Sequence, residues 1–198
     1  MSENNEGFQI TLETLFTEAR TQNGFLPTEI SEDTLKKLYD VFKYGPTAAN
    51  STPARVVFVK SAEAKDRLIP LLAPGNQQKS REAAVVAIVG YDLEFYEQLP
   101  KLFPPADARS WFVGNEALIQ ESAFRGSTLQ GAYLIIAARA LGLDAGPMGG
   151  FNADGINAEF FPDGKVKVNF VINLGNGDPA KVYPRLPRLE FDEACKII

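Results

Sequence analysis

The sequence predicts an α+β or α/β fold built on a mixed sheet, and three observations carry that reading. Three apolar, β-branched runs read as strands: Arg55 to Lys60, Ala83 to Tyr91 and Lys167 to Leu174. Segments with helical spacing separate them, so strands and helices alternate along the chain. The length of 198 residues, 45% of them hydrophobic, supports one sizeable core, so one domain over 1–198 is expected rather than two.

The elements follow in order. The first helix candidate is Leu12 to Arg20, broken by the Asn23-Gly24 turn signal and by Pro27. Ser31 caps a second, with Glu32 and Asp33 at its positive end and Lys43 near its negative end. Leu35, Leu38, Val41 and Phe42 form its apolar face, and Gly45-Pro46 ends it. Ala62 to Leu72 reads as a helix interrupted at Pro70. The run AAVVAIVGY does not alternate, which is the pattern of a strand covered on both faces. Leu99 to Trp111 is Pro-rich and aromatic, too long for a simple turn, and reads as a functional or interface segment. Asn115 to Leu141 is the longest helix candidate. Leu129, Tyr133, Ile136 and Ala140 make one stripe, widened by Ala132, Ile135 and Ala138 until the helix is expected to be buried all round, and Gly142 closes it. The tail, about 178–198, reads as an arm, extended and then briefly helical, packing on a partner subunit or on its own domain.

Composition narrows the chemistry. A formal charge of −5 argues against nucleic acid as the main partner, since phosphate backbones want a basic face. Histidine is absent, which removes Ser-His-Asp and Cys-His nucleophiles and histidine metal centres. Cys195 is the one cysteine, so neither an intrachain disulfide nor a cysteine zinc site forms. The polar start and the lack of an apolar run of membrane-spanning length predict a cytoplasmic chain with no membrane partner. Carboxylates, Lys, Arg, Tyr, Ser, Thr or a borrowed cofactor must do any chemistry.

No dinucleotide GxGxxG and no phosphate-loop GxxxxGK[ST] follows a strand. Gly146-Pro147-Met148-Gly149-Gly150 reads either as a turn or as a loop whose glycines let backbone approach a flat ligand. Gly45 to Pro53 is a run of small and hydroxyl residues, either a capped connection or the floor of a site. Asn76 and Lys79 suit one anion or ring carbonyl, or a solvated helix start. Arg20, Lys79, Arg185 and Arg188 lie so far apart in sequence that a shared phosphate would need the chain ends to converge, within one chain or across a dimer.

Taken in order, Arg20, the Pro46-Thr47-x-x-Asn50 loop, Asn76-x-x-Lys79, Gly149-Gly150 and Arg185 resemble the flavin-dependent nitroreductase superfamily over essentially the whole chain. The stretches TEARTQNGF, KYGPTAANSTPAR, DLEFYEQLP, ALGLDAGPMGGF and RLPRL are similar to the branch that reduces malonic semialdehyde to 3-hydroxypropanoate in pyrimidine degradation. The resemblance implies an α+β, nitroreductase-like homodimer with a central mixed sheet, FMN at its interface, and NADPH or NADH as reductant. Arg20 and Arg185 match the arginines on the flavin phosphate. Gln22 stands where many relatives carry Ser or Thr, Gly24 where many carry a basic residue, and Tyr183 where lysine is frequent. Pro46, Thr47 and Asn50 match the segment laid against the ring by the other subunit, and Asn76 and Lys79 the pair at its polar edge. Gly149 and Gly150 match the loop whose amide faces the flavin N5, although many relatives have an acidic residue at the first.

On this resemblance no side chain is catalytic in its own right, since the flavin N5 carries the hydride. An aldehyde with a carboxylate would need an arginine clamp, for which Arg109 and Arg125 are the candidates. Two alternatives stand beside aldehyde reduction: a broad nitro, quinone or enal reductase, and a flavin-binding protein that is not an enzyme.

Overall fold

Four strands form one sheet in the order β1-β2-β4-β3: β1 Ala54–Val59, β2 Val85–Asp92, β3 Asp144–Met148 and β4 Val166–Gly175. The computed structural model describes residues 10–198, so most of the polar start lies outside it. All three strand pairings are antiparallel, which corrects the expected mixed sheet. Antiparallel neighbours require the chain to re-enter at the end it left. Between β1 and β2 two short helices do this, α2 (Ala62–Leu68) and α3 (Pro74–Glu82), where one long crossover helix would have given a parallel pair.

Both faces of the sheet are covered, as the unbroken apolar run of β2 predicts. Val85, Ala87 and Val89 face α1 (Glu32–Phe42) and the long α5 (Glu116–Ala140), meeting Leu35, Leu38, Leu134 and Ala138. Val86 and Ile88 face the other way, toward Leu68, Ile69, Leu72 and α6 (Ala153–Phe160), which contributes Ile156. Every residue from Val85 to Val89 is fully buried. The β4 strand carries a bulge at Asn169, opposite the Val89/Gly90 step, and the Asn169 amide donates to Ser127 Oγ (2.7 Å) and Thr128 Oγ1 (2.8 Å) of α5.

The expected start of α1 is observed, the Ser31 hydroxyl accepting from Thr34 N at 3.0 Å; of its expected face Leu35, Leu38 and Phe42 are buried, but Val41 is exposed. The helix expected over Leu12 to Arg20 is a single π-type turn, Glu13–Thr17, with no buried residue to hold a longer one. Pro70 ends α2 as expected, leaving a 3-10 turn over Ile69–Leu71. The α5 helix is not buried all round. Its buried stripe is Ala123, Gly126, Gln130, Leu134 and Ala137–Ala138, whereas Phe124 and Leu129 are 49% and 41% exposed. An apolar surface on a single chain needs no cover unless something packs on it. The Pro-rich connection holds α4 (Leu99–Leu102) and builds a small core of its own, with Phe95 and Phe112 edge to face at 4.9 Å.

Beyond β4 the arm runs extended to α7 (Phe191–Ala194), and Tyr183, Leu186, Leu189 and Phe191 are exposed. Among the described residues no helix is long and apolar enough to cross a membrane.

Candidate functional site

The two chain ends meet. The segment from Thr17 to Asn23 passes the free edge of β3, where Gln22 N donates to Ala145 O at 3.2 Å. A Cβ on Gly146 would sit 2.7 Å from the Gln22 carbonyl, so glycine lets the strap approach this edge. The arm returns against the strap: Arg20 donates to the Tyr183 carbonyl, and Arg185 Nη2 donates to the Thr17 carbonyl at 2.5 Å. Between them lies a cleft of about 850 Å³ lined by Arg20, Arg139, Tyr183, Arg185 and Arg188, with Phe16 on its wall.

Charge makes this cleft unlike the rest of the surface. Arg55, Arg67, Arg81, Arg109 and Arg125 each hold a carboxylate. The remaining four arginines line the cleft, and among the described residues none of them has a carboxylate within 4.0 Å and no acidic side chain joins the lining. Arg139 projects from the last turn of α5, where its Nη1 donates to Leu15 O at 2.7 Å. Its Nε is buried with no acceptor, and burial lowers the pKa of its guanidinium, with Arg185 pressing the same way and Asp144 opposing. Four guanidiniums gathered with no carboxylate in salt-bridge contact, Asp144 acting on Arg139 alone and from further off, form a site for an anion.

A second group of expected residues is tied to the end of β3. Proline at the start of α3 needs no N–H partner, and the helix then presents Asn76 and Lys79 one turn apart. The Asn76 amide donates to the Gly150 carbonyl at 2.9 Å, and Ala73 N reaches the same oxygen at 3.0 Å. Around Gly149 there is open space on its Cβ side. Lys79 is half-buried and has no carboxylate within reach among the described residues; desolvation pulls its pKa down. The Gly146–Gly150 segment, expected as a loop, is largely strand: β3 runs to Met148, and Pro147 is accommodated because β3 is an edge.

The third group stands elsewhere. Pro46, Thr47 and Asn50 precede β1, at the sheet edge opposite β3, three strand spacings or about 14 Å away. The Pro46 carbonyl accepts from Tyr133 OH (2.9 Å), Thr47 Oγ1 from Thr52 N (3.1 Å), and the Asn50 amide donates to Leu102 O (2.9 Å). Ala49, Asn50 and Thr52 all have positive φ (49°, 50° and 37°), the only non-glycine residues that do so among those described. Backbone strain concentrated in four residues is a mark of a functional loop that the residue types alone do not reveal.

One chain therefore brings Arg20 and Arg185 together, and Asn76, Lys79, Gly149 and Gly150 together, but leaves Pro46, Thr47 and Asn50 apart. Gln22 is placed differently from expectation: its side chain is buried and donates to Asp144 Oδ1 at 3.3 Å instead of lining the cleft. Arg109 grips Glu97 with two hydrogen bonds of 2.7 Å, and Arg125 pairs with Glu121 one turn away. Each thus already has a carboxylate partner of its own at the surface. Arg139 escaped the sequence reading because a basic residue in the last turn of a helix is ordinary; its signal is that it is the only charged side chain of α5 beyond Arg125.

The model of the nitroreductase family matches residues 17–175. The chain belongs to the nitroreductase family. It is 62% identical over 187 residues to a Ralstonia nicotianae protein provisionally named NADH dehydrogenase/NAD(P)H nitroreductase, covering 94% of this chain and 96% of that one. A nitroreductase fold from Bacillus subtilis superposes with a TM-score of 0.85 at 22% identity, covering 93% and 97% of the two chains. An Exiguobacterium sibiricum protein provisionally named a nitroreductase, solved in complex with FMN, gives 0.84 at 20% identity over 96% and 98%. At those identities the two structures establish the nitroreductase fold for this chain, helices on both faces of the sheet included.

Proposed function

We propose that this nitroreductase-family protein is an FMN-dependent NAD(P)H oxidoreductase that works as a homodimer. The observation that carries the reading is the convergence of the arginines left without carboxylates on one cleft, beside the strand that delivers Gly149 and Gly150. The residues present fit the cofactor: a cationic cleft for its phosphate, a half-buried lysine for its polar edge, and open space at Gly149 for a flat ring. FMN-bound and NAD(P)H-named relatives support the same assignment.

Arg20 and Arg185 would hold the phosphate, Asn76 and Lys79 the polar ring edge, and the Gly149–Gly150 amides the N5 edge. Gln22 would act on the strap, anchoring it to Asp144. Pro46, Thr47 and Asn50 would come from the second copy, because one chain holds them at the far edge of the sheet. When bound, FMN supplies hydride acceptance and donation at N5. Lys79 would place a positive charge at the ring's polar edge, where negative charge gathers on reduction, from a half-buried position in which such a charge is less screened by water. Asn76 holds the Gly150 carbonyl, which sets the direction of the neighbouring amides.

For the acceptor we propose malonic semialdehyde, on the similarity of the long stretches around Gly45 and Gly149. A second reading, a broad acceptor of nitro compounds, quinones or enals, is favoured by the engagement of Arg109 and Arg125 with their own carboxylates. Absorbance of the purified protein tests both. Yellow protein that bleaches with anaerobic NADPH and recovers with malonic semialdehyde supports the first; recovery only with a quinone supports the second. Protein that FMN cannot reconstitute overturns the whole assignment.

A further inference from the structure

Strained backbone persists only where its surroundings over-determine it, so the positive φ angles of Ala49, Asn50 and Thr52 are held by contacts from outside the loop. One stripe of α5 supplies them. Gly126, Gln130 and Tyr133 stand at helical spacing and meet both ends of the loop. At its exit Gln130 Oε1 accepts from Ala54 N at 2.8 Å, and a Cβ on Gly126 would lie 2.6 Å from Pro53 Cγ, so glycine lets the proline seat against the helix. At its entry a Cβ on Gly45 would overlap the Tyr133 ring, and the Tyr133 hydroxyl donates to the Pro46 carbonyl at 2.9 Å. The bond from the Asn50 amide to Leu102 O holds the tip from a third side. Gln130 is buried and serves the start of β1 as much as the loop. The Tyr133 hydroxyl makes no second hydrogen bond among the described residues, so holding Pro46 is its one polar task.

We infer that Tyr133 is a positioning residue for the flavin held by the other copy: by gripping the Pro46 carbonyl from α5, it sets the face that the Pro46–Thr47 segment presents across the dimer. The inference rests on the FMN homodimer reading above and adds to it a residue outside the three groups already described. A peptide unit is planar and trans, so its C=O and N–H point in opposite directions. With the Pro46 carbonyl drawn toward the helix, the Thr47 N–H is turned away from it, and that N–H donates to no acceptor among the described residues. Thr47 Oγ1 accepts from Thr52 N at 3.1 Å, so the strained stretch that follows is keyed to the same residue. Releasing Pro46 would let this peptide rotate and carry Thr47 with it. The ring of Tyr133 has a separate role, because it packs over Gly45 whether or not the hydroxyl is present.

The test compares full-length wild type, Tyr133→Phe, Gly45→Ala and the double variant, each titrated with FMN by fluorescence. Tyr133→Phe keeps the ring and removes only the hydroxyl, so the flavin-free protein should melt within about 2 °C of wild type. Its Kd for FMN should nevertheless rise about fivefold, the effect of one hydrogen bond. At saturating FMN the visible circular dichroism of its bound flavin should differ from wild type, a change that lost stability alone does not produce. Gly45→Ala pushes the ring aside with its hydroxyl intact and should weaken FMN to a similar degree. Because both changes break one tether, the double variant should bind no more weakly than the poorer of the two single variants. Where Gly45→Ala does not fold, Tyr133→Phe decides alone. An unchanged Kd and unchanged flavin dichroism in Tyr133→Phe, or additive losses in the double variant, would overturn the assignment. Loss of FMN accompanied by separation of the two copies in sedimentation would also overturn it, giving Tyr133 to the interface and not to the ring. Wild type that binds no FMN at all would instead sink the flavin reading itself, a result visible before any variant is made.

Discussion

Asn76 and Gly150 are joined by a 2.9 Å hydrogen bond from the asparagine amide to the glycine carbonyl, across 74 residues of sequence. The bond fixes the first turn of α3 against the end of β3, so one contact sets both the Asn76–Lys79 face and the direction of the Gly149–Gly150 amides. The backbone bond from Ala73 to the same oxygen keeps the carbonyl in place if the side chain is lost.

Asn76→Ala should therefore weaken FMN binding without unfolding the protein. One hydrogen bond is worth about 1 kcal/mol, which corresponds to roughly a fivefold rise in Kd. Fluorescence titration with FMN measures it, and an unchanged Kd would remove Asn76 from the site.

The two adjacent glycines should respond oppositely to a methyl group. A Cβ on Gly149 meets nothing within 4 Å, and its backbone is open to any residue. A Cβ on Gly150 lies 3.0 Å from Asn76 Nδ2 and 3.2 Å from Ala73 Cβ, so the tether must give. Gly149→Ala is expected to leave thermal stability within about 0.5 kcal/mol of wild type, while Gly150→Ala costs about 1–3 kcal/mol and lowers flavin occupancy. Thermal melts of the two variants side by side check this.

The sequence made the helix-capped and β-branched elements legible and hid the ones whose signals cancel. Ser31 with Leu35, Leu38 and Phe42 marked α1 because cap and periodicity agree. Gly146 and Pro147 read as loop, yet lie in β3, because an edge position asks nothing of the missing proline N–H and the passing strap needs the missing Cβ. The α6 helix buries one side chain, Ile156, too few to print a period. Within the site, chain-end convergence became visible through resemblance to a family, since no local pattern links Arg20 to Arg185. The antiparallel sheet was out of reach for the same reason: strand direction is decided by how connections return, which residue types do not encode.

Acid should loosen the junction of strap, arm and α3 through Glu82. This carboxylate accepts from Gln78 and from Lys181, each at 3.0 Å, and these bonds, with a weaker one from Phe25 N, lower its pKa below the ordinary 4.5. A carboxyl whose pKa is depressed by folding stabilises the native state above its unfolded value, and that stabilisation is lost as pH falls through the folded value. Wild type is thus expected to lose stability below pH 4.5 more steeply than Glu82→Gln, whose side chain does not titrate there. Urea unfolding at pH 7, 4.5 and 3.5 gives the comparison; parallel curves for the two proteins would count against the junction.

Thr52 offers the sharpest separation of stability from function. Its φ of 37° is strained for a β-branched residue, and its hydroxyl makes no hydrogen bond among the described residues. Thr52→Gly keeps the backbone bond to Thr47 Oγ1 and releases strain of about 1–3 kcal/mol, against an entropic cost of about 0.5–1 kcal/mol for the new glycine. The net should be a gain of about 1 kcal/mol, a rise in Tm of about 2–4 °C for a chain of this size. If the strained loop is the wall that one copy lends to the flavin of the other, the same variant should hold FMN more loosely and turn over more slowly, because the freed loop no longer presents Thr47 and Asn50 in one arrangement. A more stable protein with unchanged FMN affinity and turnover would mean that the strain serves only the entry into β1. A more stable protein with weaker flavin binding is the expected result, since three strained residues within four positions are costly to keep for a plain connection.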